Sequence, residues 1–379
     1  MNQTYAYRLY VRPRERVALA RLLDEQREVY NAALSQIKTA YEGNQARTSA
    51  LEQWAYFREW RKQPGLLANA SSVQHTLRRL DKAFAAFFRR VKAGERPGYP
   101  RFKGKDRFDS VEYTYSDGVK LYYDAYYDRF LLHVQNVGEI KVKLHRFLPD
   151  YATIKHVVLK RQASGWYVYL MIEVPDPALV EPNGLPEIGG DMGLLRLLTL
   201  SDGTFIDNPR WLRENLEELR RAQRRLARAK KGGQNRKDKR LILAKRHEHI
   251  ANIRRDFWHK VTYWLVHHYG LVALERLELA FMTHNRYLSL SAHDAGLGMF
   301  QELLCYKAVD AGCAVVFVNP QNTSQQCSGC GEIVQKDLSV RWHSCPTCHL
   351  ERDRDVNAAL NILRLALQSP PGSGGQAST

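Results

Sequence analysis

Cys327-Ser328-Gly329-Cys330, then Cys345-Pro346-Thr347-Cys348, then Asp353-Arg354-Asp355-Val356-Asn357-Ala358-Ala359-Leu360 stand in that order near the C-terminal end of a 379-residue chain. The two Cys-x2-Cys pairs are separated by 14 residues. Two such knuckles can close a tetrahedral zinc site of four thiolates, Cys327, Cys330, Cys345 and Cys348. With all four positions filled, no place is left for water, so one structural Zn2+ is expected. The ribbon is read either as a small clamp near nucleic acid or as a metal-stabilised loop without contacts of its own. His343 and His349 lie beside the ligands, but a complete cysteine set leaves them no role in coordination. After the second pair, Val356, Leu360, Leu363 and Leu367 fall at helical spacing. Asp353 and Asp355 sit at the start of that helix, where an Asp taken alone is ordinarily a cap.

Two more carboxylates stand out upstream. Asp191 lies in Gly189-Gly190-Asp191-Met192-Gly193, a pattern of strand, tight bend and hairpin. Glu275 ends the apolar strand Leu271-Val272-Ala273-Leu274. A carboxylate at the end of a buried strand is costly unless it binds a cation or finds a donor. Each signal alone is weak. Together they give a first-strand Asp, a later-strand Glu and a final-helix Asp, an order that resembles an RNase H-like nuclease. Such sites gather oxygen ligands around two Mg2+ ions that activate water and stabilise the departing oxygen of a phosphodiester. A DDE transposase would carry Glu as its third acid.

The resemblance then becomes specific. Thr323-Ser324-Gln325-Gln326 before the first cysteine pair, the second pair, and Asp355-Val356-Asn357-Ala358-Ala359-Leu360-Asn361-Ile362 resemble the C-terminal signature of the TnpB proteins of insertion sequences, relatives of the type V CRISPR effectors. Arg8-Leu9-Tyr10 with Val29-Tyr30-Asn31, the loop Gly98-Tyr99-Pro100-Arg101-Phe102-Lys103, Arg254 to Lys260 and Ser291 to Gly296 resemble the same family, so the likeness covers nearly the whole chain. It implies an RNA-guided DNA endonuclease that takes a transposon-derived guide RNA and a short target-adjacent motif on double-stranded DNA. The implied catalytic, Mg2+-binding residues are Asp191, Glu275 and Asp355. The position two residues before Asn-Ala-Ala selects Asp355 over Asp353. Arg341 resembles a family arginine that supports cleavage. The family's hydrophobic-Asp opening is here Gly190-Asp191, and its Glu-Asp-Leu is here Glu275-Arg276-Leu277; neither change removes a carboxylate.

Composition fits a polyanion partner. Lys+Arg 57 against Asp+Glu 40 gives a net charge of +17, while 44% hydrophobic and 11% aromatic residues supply a core and exclude a disordered basic tail. The longest apolar stretches fall far short of the ~18 residues of a membrane span. No secretion signal is visible, and six cysteines are too few for a disulfide scaffold. A cytoplasmic, nucleoid-associated protein without a membrane partner is expected. Between Arg220 and Arg246, 13 Lys/Arg face a single acid, Asp238. Such a run can be a solvated helix face, but it is too lopsided to pair with itself. Arg220, Arg221, Arg224, Arg225, Arg228, Lys230, Lys231, Arg236 and Lys237 are therefore candidate phosphate contacts. A second basic set includes Arg78, Arg79, Arg101 and Lys103, with Tyr99 beside it as a further candidate nucleic-acid contact. Nearby Tyr113, Tyr115, Tyr122, Tyr123, Tyr126 and Tyr127 could stack on bases or be ordinary strand residues.

The expected fold class is α/β plus β. A wedge-like β-barrel (1–13 and 94–174) holds a helical recognition insert (14–93). A linker with four prolines (175–187) leads to an RNase H-like, RuvC-like nuclease domain (188–326 and 349–368) carrying the zinc ribbon (327–348), then a disordered tail (369–379). The protein is expected to act as a monomer in a ribonucleoprotein. Other readings are a nuclease-inactive RNA-guided DNA-binding regulator, a zinc-ribbon DNA-binding accessory protein, and a guide-independent nuclease.

Overall fold

The computed structural model describes residues 2–43, 50–105, 107–174, 180–276, 289–319, 321–337 and 340–368. The beginning of the expected linker (175–179), Leu277 of the quoted Glu275-Arg276-Leu277, and the tail expected over 369–379 lie outside them. The chain forms two compact units, Met1–Asp176 and Pro177–Thr379.

The first unit opens with strand β1 (Asn2–Tyr10), in which Tyr5, Tyr7 and Leu9 point into the core while Ala6, Arg8 and Tyr10 are exposed. This two-residue period is what a half-buried strand requires. Helices α1 (Pro13–Glu42), α2 (Ala50–Trp60) and α3 (Ala70–Lys92) follow. Val73, Leu77, Leu80 and Phe84 form the buried stripe of α3. Asn69 caps it, its side chain accepting from the Ser72 N–H at 2.9 Å. Strands β2 (Ser110–Thr114), β3 (Val119–Asp124), β4 (Arg129–Val134), β5 (Gly138–Lys143), β6 (Thr153–Gln162) and β7 (Gly165–Glu173) complete an antiparallel sheet in the order β2-β6-β7-β1-β5-β4-β3.

Among the described residues the outer strands β2 and β3 do not pair with each other, so the sheet is open where a wedge-like β-barrel was expected. Strand β3, with Lys120, Tyr122 and Tyr123, lies at the edge of the sheet and pairs with β4 alone.

The second unit is built on a five-stranded sheet, β10-β9-β8-β11-β12. Strands β8 (Glu187–Asp191), β11 (Leu271–Glu275) and β12 (Ala314–Val318) run parallel; β9 (Arg196–Leu200) and β10 (Phe205–Asp207) continue antiparallel beside β8. Helices α4 (Trp211–Glu214), α5 (Leu216–Arg228) and α6 (Gln234–His268) come between β10 and β11. Gly232, at φ 86°, turns the chain between α5 and α6. Helices α7 (Ser289–Ala295) and α8 (Leu297–Ala311) precede β12. Trp258 and Leu265 of α6 are buried with Phe300 and Leu304 of α8. A hairpin of β13 (Trp342–Ser344) and β14 (Glu351–Asp353) feeds directly into the last helix, α9 (Arg354–Gln368).

Helix α9 lies against β8, and Gly189 makes that possible. A Cβ at this position would stand 2.0 Å from the Ala359 carbonyl oxygen and 2.9 Å from the Leu363 side chain. Gly98, in contrast, has open space around it. Gly189→Ala is expected to lower the stability of the chain by about 1–3 kcal/mol, the usual cost of forcing extra volume into a packed contact. Gly98→Ala should leave it unchanged. Urea unfolding of both full-length variants measures the difference.

Candidate active site

Asp191 and Glu275 occupy the C-terminal ends of adjacent parallel strands. Gly190 of β8 stands opposite Leu274 of β11, so the next residue on each strand is a carboxylate. Ligands of open α/β sheets gather at this edge, where the strands end and loops begin. Asp355 enters from the first turn of α9. All three line one cleft of about 550 Å³. The same cleft is lined by Arg196, Arg210, Arg213, Arg341 and Arg354.

The two aspartates at the start of α9 have different tasks. Asp353 Oδ1 accepts from the backbone N–H groups of Asp355 (2.9 Å) and Val356 (3.4 Å), and its Oδ2 pairs with Arg196 at 2.9 Å. It is the cap that the sequence suggests for either residue. Asp355 is left facing the cleft, held by Arg354 at 3.2 Å and by Arg341 at 3.5 Å. Arg341 therefore reaches the carboxylate, although half of its side chain remains exposed.

Burial raises the Asp191 pKa well above its ordinary value, and the negative charges of Glu275 and Asp355 add to the shift; Arg354 opposes it. Burial likewise raises Glu275, offset by the Thr323 hydroxyl, which donates to its Oε1. Crowded carboxylates in low dielectric hold protons until a cation replaces them. This donor set of hard oxygens suits Mg2+. The ligand atoms of the three do not all lie within 4.8 Å of one another.

The four cysteines do gather. Cys327 and Cys348 sulfurs lie 3.6 Å apart, as do those of Cys330 and Cys345. All four lie within 4.8 Å of one another. A tetrahedron with Zn–S bonds of ~2.3 Å has edges of roughly 3.8 Å, so these spacings fit zinc. Backbone N–H groups of Cys348 and Thr347 help to lower the Cys345 thiol, while Cys330 and Cys348 beside it are raised. His343 is buried and turned to Lys336, outside the sulfur cluster.

The cluster is tied to α9 by two asparagines. Asn357 accepts from the Ser328 N–H at 2.9 Å and donates to the Gln326 carbonyl at 2.7 Å. Asn361 donates to the carbonyls of Thr323 (2.9 Å) and Gln326 (2.7 Å). The segment that carries Thr323 toward Glu275 is therefore anchored on the helix that carries Asp355.

The basic candidates divide. Arg220, Arg221, Arg224, Arg225, Arg228, Lys230, Lys231 and Lys237 are exposed, with Leu219 and Ala222 turned inward along α5. Arg220 pairs with Glu217 at 3.1 Å. Arg236 is engaged differently: its Nη1 donates to the carbonyls of Leu226 (2.7 Å) and Ala229 (2.9 Å), closing the C-terminal end of α5. In the first unit, Arg78 and Arg101 are exposed, while Arg79 lies over the Phe108 ring and bonds Ser110. Tyr99 packs edge-on against Phe84 and Phe87. Lys103 is held through its backbone, which exchanges two hydrogen bonds with the Asn31 side chain at 2.8 and 2.9 Å. Tyr113 is a core residue, 1% exposed, and unavailable for stacking.

Sequence reasoning missed Thr323, Arg196, Arg210, Arg213 and Arg354 as cleft residues. Only Thr323 and Arg354, inside the signature segments, carried a signal. Arg210 stands at φ 53°, an uncommon conformation for a residue with a side chain.

Residues 169–286 match a family model described as a probable transposase of the IS605 OrfB type, and residues 298–362 match the Cas12f1-like TNB domain. A Streptomyces pristinaespiralis protein, named as a candidate RNA-guided DNA endonuclease, is 33% identical over 375 residues, spanning 97% of this chain and 90% of its own. The chain belongs to the TnpB family. InsQ of Escherichia coli K12, named in the same way, is 28% identical across 96% of this TnpB-family chain and 92% of its own. Among solved structures, Cas12f1 bound to single-guide RNA and target DNA shares the fold, with TM-score 0.57 and 17% identity over 91% of this chain and 81% of that one. Residues 1–46 match a model described as a helix-turn-helix domain. In this TnpB-family chain their described part forms strand β1 and the single long helix α1.

The raised Asp191 pKa carries a stability consequence. A carboxyl whose folded pKa lies above its unfolded value contributes stability below the unfolded value and loses it as pH rises through the folded one. Without divalent cations, Asp191→Asn should therefore unfold at higher denaturant than the parent at pH 8, and the gap should close as pH falls toward 4. Adding Mg2+ at pH 8 should stabilise the parent and not the variant.

Proposed function

We propose that this chain is an RNA-guided, Mg2+-dependent DNA endonuclease whose catalytic residues are Asp191, Glu275 and Asp355. The observation that carries the reading is the meeting of three acids, distant in sequence, in a cleft that five arginines also line. Carboxylates alone would repel a phosphodiester. Arginines beside them provide planar donors for phosphate oxygens. Mg2+ ions held there supply an activated water and stabilise the departing oxygen. Thr323 orients Glu275, and Arg341 and Arg354 hold Asp355 toward the cleft. One Zn2+ on the four cysteines fixes the ribbon and, through Asn357 and Asn361, the start of α9.

Relatives named for RNA-guided cleavage support extending the reading to partners. The protein takes a guide RNA, recognises a short motif beside the target on double-stranded DNA, and leaves sequence selection to base pairing. The exposed bases of α5 and the 230–237 segment grip phosphate backbones without reading sequence. The first unit acts as a wedge with its helical insert, the second as a RuvC-like nuclease. The working particle is one chain with one RNA in the cytoplasm. Among the described residues no helix is long and apolar enough to cross a membrane.

Plasmid cleavage with the co-purified RNA and Mg2+ tests this. Asp191→Ala, Glu275→Ala and Asp355→Ala should each abolish cutting while RNA binding persists. Thr323→Val should slow cutting by roughly 10–100-fold, the usual cost of losing a group that orients a metal ligand. Cleavage by the alanine variants at the parent rate would refute the assignment. Guided binding without cleavage by the parent would favour the regulator.

A further inference from the structure

A second set of ligand-type side chains meets in the first unit, away from everything used so far. His75 projects from α3, Glu112 from β2 and His156 from β6. The register places Thr114 opposite His156 and Glu112 opposite Val158. Glu112, Thr114 and His156 therefore share one face of the sheet, the alternation of a strand putting every second residue there. His75 is buried over that face.

The atoms converge on one oxygen. His75 Nδ1 lies 3.1 Å from Glu112 Oε1, and His156 Nδ1 lies 3.7 Å from the same Oε1. The ligand atoms of all three residues lie within 4.8 Å of one another. The two rings stand nearly perpendicular, with centroids 5.2 Å apart. His156 Nδ1 is shielded from solvent and has no hydrogen-bond partner. His75 Nε2 sits 3.1 Å from the Thr114 hydroxyl. When Nε2 carries the proton to Thr114, Nδ1 turns a lone pair toward the carboxylate.

His75 can meet the carboxylate with an Nδ1–H, but His156 Nδ1, at 3.7 Å, is too far for a hydrogen bond and stays shielded without one. A metal ion satisfies all three groups together. Metal–nitrogen bonds of 2.0–2.1 Å in a tetrahedron set ligand atoms roughly 3.3–3.4 Å apart, between the two distances seen. The Thr114 hydroxyl is the outer partner that fixes a ligating imidazole.

We propose that His75, Glu112 and His156 form a second site for a borderline divalent cation such as Zn2+, with a fourth position open to water. Two imidazoles and one carboxylate favour this class over Mg2+. The ion clips α3 to the β2–β6 edge of the sheet, where β2 has a strand on one side only.

The test is metal content of the full-length chain after Zn2+ loading and desalting, with Co2+ loading in parallel. Glu112→Gln and His156→Asn both replace partly exposed side chains. Each should lose one equivalent per chain, while the thiolate-to-cobalt charge-transfer band of the cysteine site is retained. This readout is independent of DNA cleavage. Equal metal content in the parent and both variants overturns the proposal and leaves an ordinary histidine–glutamate ion pair.

Discussion

Helix α9 reaches its place only because β8 carries no side chain at Gly189. The Ala359 carbonyl occupies the space that a Cβ would need. That close approach sets the depth at which the first turn of α9 meets the strand ends. Two residues along β8 from Gly189, the backbone delivers Asp191 to the same edge, and β11 delivers Glu275 beside it. The carboxylates are thus positioned by strand register and one helix–strand contact, not by the loops around them. Rigid elements hold reacting groups more precisely than loops can.

The arrangement is electrostatically uncomfortable by itself, and this is informative. Asp191 is pushed up by burial and by two neighbouring acids, with Arg354 as partial compensation. Asp355 is held by two arginines, while Asp353 spends its oxygens on the helix cap and Arg196. A chain under no functional demand has little reason to retain a buried acid against two others. On the proposed reading, bound cations would relieve this repulsion, and the arginines that line the cleft would face an anionic substrate. Asn357 and Asn361 join the segment that leads into the cysteine cluster to α9, and the same segment brings Thr323 to Glu275.

Much of this was legible in the sequence because it follows short-range rules. The cysteine spacing announces its tetrahedron, and the apolar run at 271–274 is a parallel strand whose middle residues are buried. Gly189-Gly190-Asp191 was read as a bend, yet the first glycine serves packing against a helix 170 residues later in the chain. No local pattern encodes such a contact. The choice between Asp353 and Asp355 came from family likeness; the capping bonds supply the physical ground. Arg236 and Tyr113 show the limit of composition. One arginine in a basic run caps a helix end, and one of the tyrosines considered for stacking lies in the core. Arg210 and Arg213 became visible as cleft residues only once α4 was placed. Asn31 and the Gly98–Lys103 loop, 67 positions apart at their nearest, were noted as separate motifs and prove to be hydrogen-bond partners.

The central claim is that Asp191, Glu275 and Asp355 share a pair of divalent cations. Anomalous diffraction from crystals of the ribonucleoprotein grown with Mn2+ tests it most directly. The account predicts two manganese peaks about 3.5–4 Å apart in the cleft beside the three carboxylates. Manganese sites elsewhere on the chain and none beside Asp191 would contradict it.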